Sequence, residues 1–144
     1  MTRQPLFVDA SAWIATIDAS DGLHGDARRF WAASRAERRR FVTSDYVLDE
    51  TYTFLRRRRN GLKMAVAVND LVASSHIIEV VGITQELRDQ AWELFVGYED
   101  QVLSFTDCTS FALMRQRQLL EVFTFDRDFQ RAGFIVRPES VSTR

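Results

Sequence analysis

Short apolar runs alternate along this chain with longer segments in which apolar residues recur at helical spacing. The runs are rich in β-branched and aromatic side chains and are typical of strands buried in a parallel sheet. They occur at residues 6–8, 41–43, 76–82, 122–125 and 134–136. The intervening segments predict helices at 11–19, 26–38, 45–58, 62–74, after Thr84, and at 104–118, with a helical turn at 129–132. Strands that alternate with helices indicate an α/β fold with helices on both faces of the sheet.

Length and composition indicate one globular domain spanning residues 1–144. With 46% hydrophobic residues and eleven Phe, the chain has enough apolar side chains for a packed core without disulfides. Cys108 is the only cysteine and His24 lies far from His76, which excludes an internal disulfide and a Cys/His zinc cluster. The sequence shows no signal peptide and no apolar run that could cross a bilayer, so we expect a cytoplasmic protein that does not bind membranes.

Acidic residues follow two of the predicted strands. Asp9 comes directly after the strand 6–8, and Asp126 follows the strand 122–125. If these strands are parallel, their carboxyl ends meet at one edge of the sheet, where α/β proteins bind their ligands. Asp107, in the first turn of the predicted helix 104–118, is a third candidate for the same site.

Two of these acids also have an ordinary structural interpretation. Ser104 followed three residues later by Asp107 is a capping-box pattern, in which Asp107 would stabilise the start of the helix. Asp126-Arg127-Asp128 is typical of a turn between a strand and a short helix. Both interpretations remain open at this stage. Ser44 and Thr84 are predicted N-caps of two further helices.

Glu50 is the fourth candidate acid, and helix geometry separates it from its neighbour Asp49. Residues three, four and seven apart share a face, so Val47, Glu50 and Phe54 form one stripe, which we expect to face the core. A carboxylate on an apolar stripe needs a partner or a metal, whereas Asp49 on another face can contact water. The alternative is a salt bridge from Glu50 to an arginine on a neighbouring helix.

Carboxylates gathered at one edge of a sheet require a compensating positive charge. Each close pair repels by up to about 4 kcal/mol at an effective dielectric near 20. Mg²⁺ or Mn²⁺ would compensate, because these ions take oxygen ligands from one or two carboxylates and a substrate phosphate. A metal in that position lowers the pKa of a bound water and neutralises charge on a phosphoryl transition state. The acids therefore predict metal-dependent phosphodiester hydrolysis, most simply by a nuclease.

The basic residues are almost all arginines and form two runs, although the net charge of −1 gives no overall attraction to nucleic acid. Lys63 is the only lysine, and the runs span residues 38–40 and 56–59. Arginine forks suit phosphate, so Arg56, Arg57, Arg58 and Arg59 are candidate RNA contacts. The alternative is that both runs are solvated cations at helix C-termini, where they offset the helix dipole.

Four short motifs, in order, give the chain a family resemblance. They read F-V-D-A-S-A-W at 7–13, D-E-T at 49–51, S-F-T-D-C-T-S-F-A-L-M at 104–114 and T-F-D-R-D-F at 124–129. In order and spacing they resemble the PIN-domain ribonucleases, in particular the VapC-type toxins of bacterial toxin–antitoxin pairs. The resemblance spans nearly the whole chain. It implies a three-layer α/β/α fold with a short, mostly parallel central sheet, Mg²⁺- or Mn²⁺-dependent endoribonuclease activity, homodimerisation, and a small antitoxin whose C-terminal segment lies across the active-site groove.

Carried over by position, the acidic quartet of the family falls on Asp9, Glu50, Asp107 and Asp126. Asp9, Asp107 and Asp126 are the expected metal ligands, Glu50 and Asp128 are further candidates, and Ser11 and Thr124 are expected to support the site by hydrogen bonding. The resemblance suggests a structured RNA substrate, such as tRNA or a ribosomal RNA loop.

Two other functions are alternatives to the nuclease. A phosphoryl-accepting receiver-like domain would need a lysine at the acidic edge, whereas Lys63 lies in a predicted helix. A catalytically silent PIN-like interaction module is the second alternative, and the presence of all four acids argues against it.

Overall fold

A computed structural model of the protein describes residues 3–139, so residues 1, 2 and 140–144 of the expected domain lie outside the described part. Five strands and seven helices occur within that part. In chain order they are β1 (Leu6–Val8), α1 (Ala10–Ile17), α2 (His24–Ala36), β2 (Phe41–Ser44), α3 (Asp45–Arg56), α4 (Gly61–Ser74), β3 (Ile78–Val81), α5 (Gln85–Gly97), α6 (Phe105–Arg117), β4 (Glu121–Phe123), α7 (Asp128–Arg131) and β5 (Ile135–Arg137).

The strands form one sheet in the order β3-β2-β1-β4-β5, and every neighbouring pair is parallel. Phe7 at the centre of β1 is in register with Val42 on one side and Val122 on the other. Right-handed crossovers between parallel strands place α1–α4 on one face and α5–α7 on the other. The predicted α/β fold is therefore confirmed. Because the strand order reverses next to β1, the gap between β1 and β4 is the topological switch point, the position at which open α/β sheets in general bind ligands.

The core lies on both faces of β1, whose three residues are fully buried. On one face Trp31 stacks on Phe41 and is tilted against Trp13. On the other, Phe111 packs edge-on against Phe129. This burial explains why the central strand has no polar face in the sequence, and it fixes the position of the residue that follows it, Asp9.

The predicted N-caps are all present. Ser44, Thr84 and Ser104 accept backbone hydrogen bonds from the amide three residues on, at donor–acceptor distances of 3.1, 3.2 and 3.0 Å. Of the residues described, none belongs to a helix with the length and apolarity that a membrane span requires.

One strand boundary differs from its prediction in a way that matters for the site. The strand predicted at 122–125 ends at Phe123, because the amide of Phe125 turns away from the sheet and donates to Ser11 Oγ at 3.0 Å. Thr124 and Phe125 therefore belong to a loop at the carboxyl edge of the sheet. The strand predicted at 76–82 is also shorter, Ile78–Val81.

Candidate metal centre

Five carboxylates from four parts of the chain meet above the β1–β4 gap. Carboxylate oxygens of Asp9, Glu50 and Asp107 lie within 4.8 Å of one another, and the same holds for Asp107, Asp126 and Asp128. Asp107 belongs to both groups. The structure thus brings together all five acids that the sequence singled out, and the exposed Asp49 is in neither group.

Each acid is held by the element that carries it. Asp9 follows β1 directly and its amide donates to the carbonyl of Phe123 at 3.0 Å, which ties it to the end of β4. Glu50 lies on the second turn of α3, from one helical layer, and Asp107 lies on the first turn of α6, from the other. Two helices on opposite faces of the sheet therefore converge over its central strand.

Capping and site membership coexist at Asp107. Ser104 Oγ accepts the backbone amide of Asp107 at 3.0 Å, and the backbone amide of Ser104 in turn donates to the Asp107 carboxylate, which also belongs to the acidic group. The capping pattern seen in the sequence was correct, and it was no argument against a role in the site.

Ser11 and Thr124 orient Asp9. The hydroxyl of Thr124 donates to Asp9 Oδ2 at 2.9 Å, and the hydroxyl of Ser11 lies 3.3 Å from the same oxygen. The two hydroxyls are 3.0 Å apart, and each also accepts a backbone amide, from Phe125 for Ser11 and from Asp126 for Thr124. The hydrogen bonding expected of these two residues is present, and it fixes the rotamer of Asp9.

Asp126 and Asp128 form the turn between a strand and a short helix that the sequence also suggested. The amide of Asp128 donates to Asp126 Oδ1 at 2.9 Å, and Arg131 forms an ion pair with Asp128 at 3.1 Å. Asp126, in contrast to Asp128, forms no ion pair within residues 3–139. The turn positions the Asp126 carboxylate beside Asp107 and so contributes to the acidic group.

Burial and mutual repulsion raise the pKa values of the acids. Desolvation is the largest cause for Asp9, Glu50, Asp107 and Asp126. Burial and the charges of Asp9, Asp126 and Glu50 together raise the pKa of Asp107 to about 8. For Asp9 the hydrogen bond from Thr124 opposes the effect of burial. Within the described residues no arginine or lysine forms an ion pair with Asp9, Glu50 or Asp107, so the salt bridge considered for Glu50 is absent.

One buried oxygen provides a test of whether this site suits a cation. Asp9 is 3% exposed, and its Oδ1 accepts no hydrogen bond although Oδ2 is well supplied. A buried carboxylate oxygen without a donor is costly unless something positive faces it. The donor set consists of oxygen atoms only, which is the preference of Mg²⁺ and Mn²⁺. The residues present therefore fit such an ion, and Asp107 is the acid that belongs to both groups of carboxylates.

A cavity of about 570 Å³ opens beside the acids. All five acids line it, and the rest of its wall comes from α1, the α1–α2 and α5–α6 connections, α3 and the loop after β4. The apolar lining residues are Ile14, Leu23, Phe54, Val102, Leu103 and Phe125. No local pattern in the sequence indicates that these separate segments meet, so the cavity was not predictable from the sequence.

Phe54 corrects the expectation that the α3 stripe faces the core. Val47 is fully buried, but Glu50 is half-buried and Phe54 is 45% exposed. The stripe faces the core only at the start of α3, since α1 and α6 cover its first turns and the cavity opens beyond them. The prediction that Val47, Glu50 and Phe54 share one helix face was right, but the prediction that this face is buried was wrong for Phe54.

The two arginine runs differ from each other. Arg39, in the first run, is 3% exposed and contacts Glu121 at 3.3 Å, so it is neither solvated nor available to RNA. In the second run, Arg58 lines the cavity and pairs with Asp18 and Asp21 at 2.5 and 3.4 Å, whereas Arg56, Arg57 and Arg59 are exposed. The interpretation as solvated helix ends is therefore wrong for Arg39.

Comparison with known sequences and structures places this chain in a family. The sequence pattern of the PIN domain matches residues 6–135. The chain belongs to the PIN-domain family. The family resemblance noted in the motifs is confirmed, and the candidate centre of this PIN domain lies at the carboxyl ends of β1 and β4.

One relative, VapC20, is similar to this PIN domain over nearly its whole length, in sequence and in structure. The 23S rRNA-specific endonuclease VapC20 of Mycobacterium tuberculosis, from strains CDC 1551 and H37Rv, is 42% identical over 135 residues, which cover 93% of this chain and 99% of the relative. The crystal structure of VapC20, described as a sarcin–ricin loop cleaving toxin, matches with a TM-score of 0.82 at 40% identity, over 90% of this chain and 96% of that one.

More distant structures share the fold of this PIN domain. They include a VapBC2 complex from Rickettsia felis bound to promoter DNA, with a TM-score of 0.69 at 11% identity, covering 93% of this chain and 98% of the other. A DNA-bound VapBC from Salmonella typhimurium matches with a TM-score of 0.64 at 15% identity, covering 94% and 98%. At these identities the similarity establishes the architecture alone.

Proposed function

We propose that this PIN-domain protein is a metal-dependent endoribonuclease of the VapC type, the toxin of a toxin–antitoxin pair. The observation that supports this most directly is the group of carboxylates around Asp9, whose Oδ1 is buried without a donor at the β1–β4 switch point. The 42% identity to an rRNA endonuclease supports RNA as the substrate. Because that relative acts on 23S rRNA and a matching structure is called a sarcin–ricin loop cleaving toxin, we infer that the substrate is a structured ribosomal RNA loop.

Asp9, Asp107 and Asp126 would hold Mg²⁺ or Mn²⁺, with Glu50 as a direct or water-mediated ligand and Asp128 at the edge of the site. When bound, such an ion lowers the pKa of a water molecule and offsets negative charge on the phosphoryl group. The role of the protein is to fix this donor set. Thr124 and Ser11 hold the Asp9 carboxylate, the α6 cap holds Asp107, and the loop after β4 holds Asp126.

The surroundings of the acids suit an RNA strand. The cavity gives a nucleotide room next to the acidic group, and the exposed Arg56, Arg57 and Arg59 continue from Arg58 at its rim. Arginine forks there would bind the RNA backbone without reading its sequence. A small antitoxin whose segment covers the same groove and a homodimeric toxin are the partners we expect, and ribosomes as substrate imply action in the cytoplasm.

The central test compares two adjacent acids on α3. Glu50→Gln and Asp49→Asn change the same charge one residue apart, but only Glu50 lies within the acidic group. We expect Glu50→Gln to lose Mn²⁺-dependent cleavage of 23S rRNA, measured by sequencing of RNA ends, while Asp49→Asn cleaves like the wild type. The reverse result would remove Glu50 from the site. A wild-type protein that cleaves no RNA with either metal yet binds a partner would favour the silent interaction module.

A further inference from the structure

An aromatic side chain next to the acidic group is exposed without a structural reason. Phe54 is 45% exposed and lines the cavity, although it lies in a helix whose aliphatic residues, Val47, Leu48 and Leu55, are buried. It follows Glu50 by four residues, so the two side chains are neighbours on one helix face. An exposed phenylalanine one helical turn from a candidate metal ligand points to a ligand that covers the ring.

Arg58 fixes this ring. Its guanidinium carbon lies 4.6 Å from the centroid of the Phe54 ring, and the same guanidinium pairs with Asp18 at 2.5 Å and Asp21 at 3.4 Å. Asp18 is buried, and Ser20 further holds its carboxylate through backbone and hydroxyl contacts. The cation therefore sits against one side of the ring in an anchored position, and the uncovered part of the ring remains available in the cavity. A ring held in this way loses little conformational freedom when it binds a ligand.

The chemistry around the ring favours a nucleobase as that ligand. Proteins bind unpaired RNA bases by stacking them on aromatic rings and arginine planes, and by hydrogen bonds to the base edges. Phe54 offers the ring, while Arg58 and Asp21 place charged donors and acceptors at the same rim. Glu50 and Phe54 are about one helical turn apart. If the phosphate of a nucleotide lies at the acids, its own base or an adjacent base lies at a similar distance from that phosphate and can reach Phe54.

We propose that Phe54, held by Arg58, is a stacking platform for an unpaired nucleobase next to the phosphodiester bond that is cleaved. This inference rests on the proposed ribonuclease function and identifies a substrate subsite within it. It explains why the platform lies on the same helix face as Glu50, since one rigid helix then sets the distance between the bound base and the acidic group. It also requires an RNA loop that presents an unpaired base, because a fully paired duplex keeps its bases stacked on each other.

The test uses a synthetic RNA hairpin that copies the sarcin–ricin loop of 23S rRNA, with 2-aminopurine in place of each unpaired base in turn. Stacking quenches the fluorescence of 2-aminopurine, and binding is measured with Ca²⁺ as the divalent ion, independently of cleavage. Cleavage of the unlabelled hairpin is measured separately with Mn²⁺. We expect wild-type protein to quench at one or two positions, and Phe54→Ala to lose that quenching and raise KM by about tenfold, the order expected for one stacked base. Phe54→Trp should retain both properties.

The matched control is Phe95→Ala. Phe95 is also an exposed phenylalanine, 39% exposed, but it lies on α5 and does not line the cavity. Melting curves show whether each variant is folded, and Phe54→Leu tests whether apolar bulk without a ring suffices. Wild-type quenching and KM in folded Phe54→Ala would overturn the platform, as would an absence of quenching by wild-type protein. If Phe54→Ala binds and cleaves RNA normally but no longer binds its antitoxin, the ring belongs to a protein contact and the proposal fails. Quenching without any cleavage would instead contradict the ribonuclease function and the position of the platform beside a cleaved bond, while base stacking on Phe54 itself would be retained.

Discussion

The two ends of the central sheet both bury charged groups, and they do so in opposite ways. At the amino end, Glu121 at the start of β4 is surrounded by Arg39, Arg137 and Arg3 at 3.3, 2.6 and 3.5 Å. At the carboxyl end, Asp9, Glu50 and Asp107 lie together and no arginine pairs with them among the ion pairs of residues 3–139. Although Arg39 Nε makes no hydrogen bond, its charge is matched by Glu121, whereas Asp9, Glu50 and Asp107 have no paired cation within residues 3–139.

The pKa shifts show what this difference means. Burial raises the pKa of Glu121, but the hydrogen bond from Arg137 and the charge of Arg39 outweigh it, so the pKa is lowered overall. For the acids at the other end, burial and like charges act in the same direction and raise the pKa. Perturbed groups in a cleft with no internal compensation are typical of functional sites, whereas paired groups are typical of structural ones. The amino end thus stabilises the fold, and the carboxyl end keeps an unmatched charge for a ligand.

The largest effect should follow from removing the central acid of the carboxyl end. We expect Asp9→Asn to lower Mn²⁺-dependent RNA cleavage by at least about a hundredfold, since changes to residues that only orient metal ligands already cost about 10- to 100-fold. The loss of Mn²⁺ binding should be visible by titration calorimetry. The metal-free variant should melt at the same temperature or higher, because like-charge repulsion is relieved. Equal Mn²⁺ affinity in the variant and the wild type would contradict the ligand assignment.

At the amino end, the same kind of change should affect stability rather than cleavage. Glu121→Gln leaves the buried guanidinium of Arg39 without its charge partner, and we expect the free energy of unfolding to fall by about 3 kcal/mol or more. Urea unfolding at pH 7 measures this, and the folded fraction should cleave RNA at the wild-type rate.

Glu79→Gln is the matched control for that variant. It breaks the exposed pair between Glu79 and Arg117, whose side chains are 53% and 40% exposed, so the cost should stay below about 1 kcal/mol. Equal costs for Glu121→Gln and Glu79→Gln would mean that the amino end is not a buried ion-pair network.

The sequence predicted the acidic end far better than the basic one, for a physical reason. Asp9 and Asp126 follow apolar runs, and parallel strands bring such positions to one edge whatever the rest of the fold does. Glu50 could be distinguished from Asp49 because the face of a helix on which a residue lies follows from its spacing to nearby residues. Arg39, by contrast, pairs with Glu121, which lies 82 residues later in the chain. No local pattern in the sequence indicates that pairing.

Phe54 was misjudged for a related reason. Periodicity shows which residues share a face, but not whether the space opposite that face is filled. The cavity is bounded by Ile14, Leu23, Val102 and Phe125, which come from separate segments, and their meeting depends on the packing of whole helices. Local patterns therefore predicted the chemistry of the site and left its shape undetermined.

The two ends should also respond differently to pH. A carboxyl group whose folded pKa is raised stabilises the folded state fully below its unfolded pKa, and that stabilisation is lost as pH rises through the folded pKa. For Asp107 the range runs from its ordinary value of 3.8 to about 8. The melting temperature of metal-free protein should therefore fall between pH 5 and pH 8, and Mn²⁺ should reduce the fall because it replaces the protons.

The lowered pKa of Glu121 stabilises the folded state fully above its ordinary value of 4.5, and this stabilisation is lost only as pH falls below that value, so the amino end should add no pH dependence between pH 5 and pH 8. Asp107→Asn is the control, and it should flatten the pH dependence of the metal-free protein. A melting temperature that rises from pH 5 to pH 8 in EDTA would contradict the unmatched charge at the carboxyl end.

The smallest effect concerns the arginine run at the rim of the cavity. Arg57 is exposed and forms none of the ion pairs in the described part of the chain, so its removal should leave the fold unchanged. If it contacts an RNA phosphate, Arg57→Ala should weaken binding severalfold for every RNA tested and reduce the slope of log K against log salt by about 0.7 to 0.9. Arg35→Ala, an exposed arginine in the last turn of α2, should leave the slope unchanged. Equal slopes for Arg57→Ala and the wild type would show that this run is solvated, and binding would then depend on the acidic group and the cavity beside it.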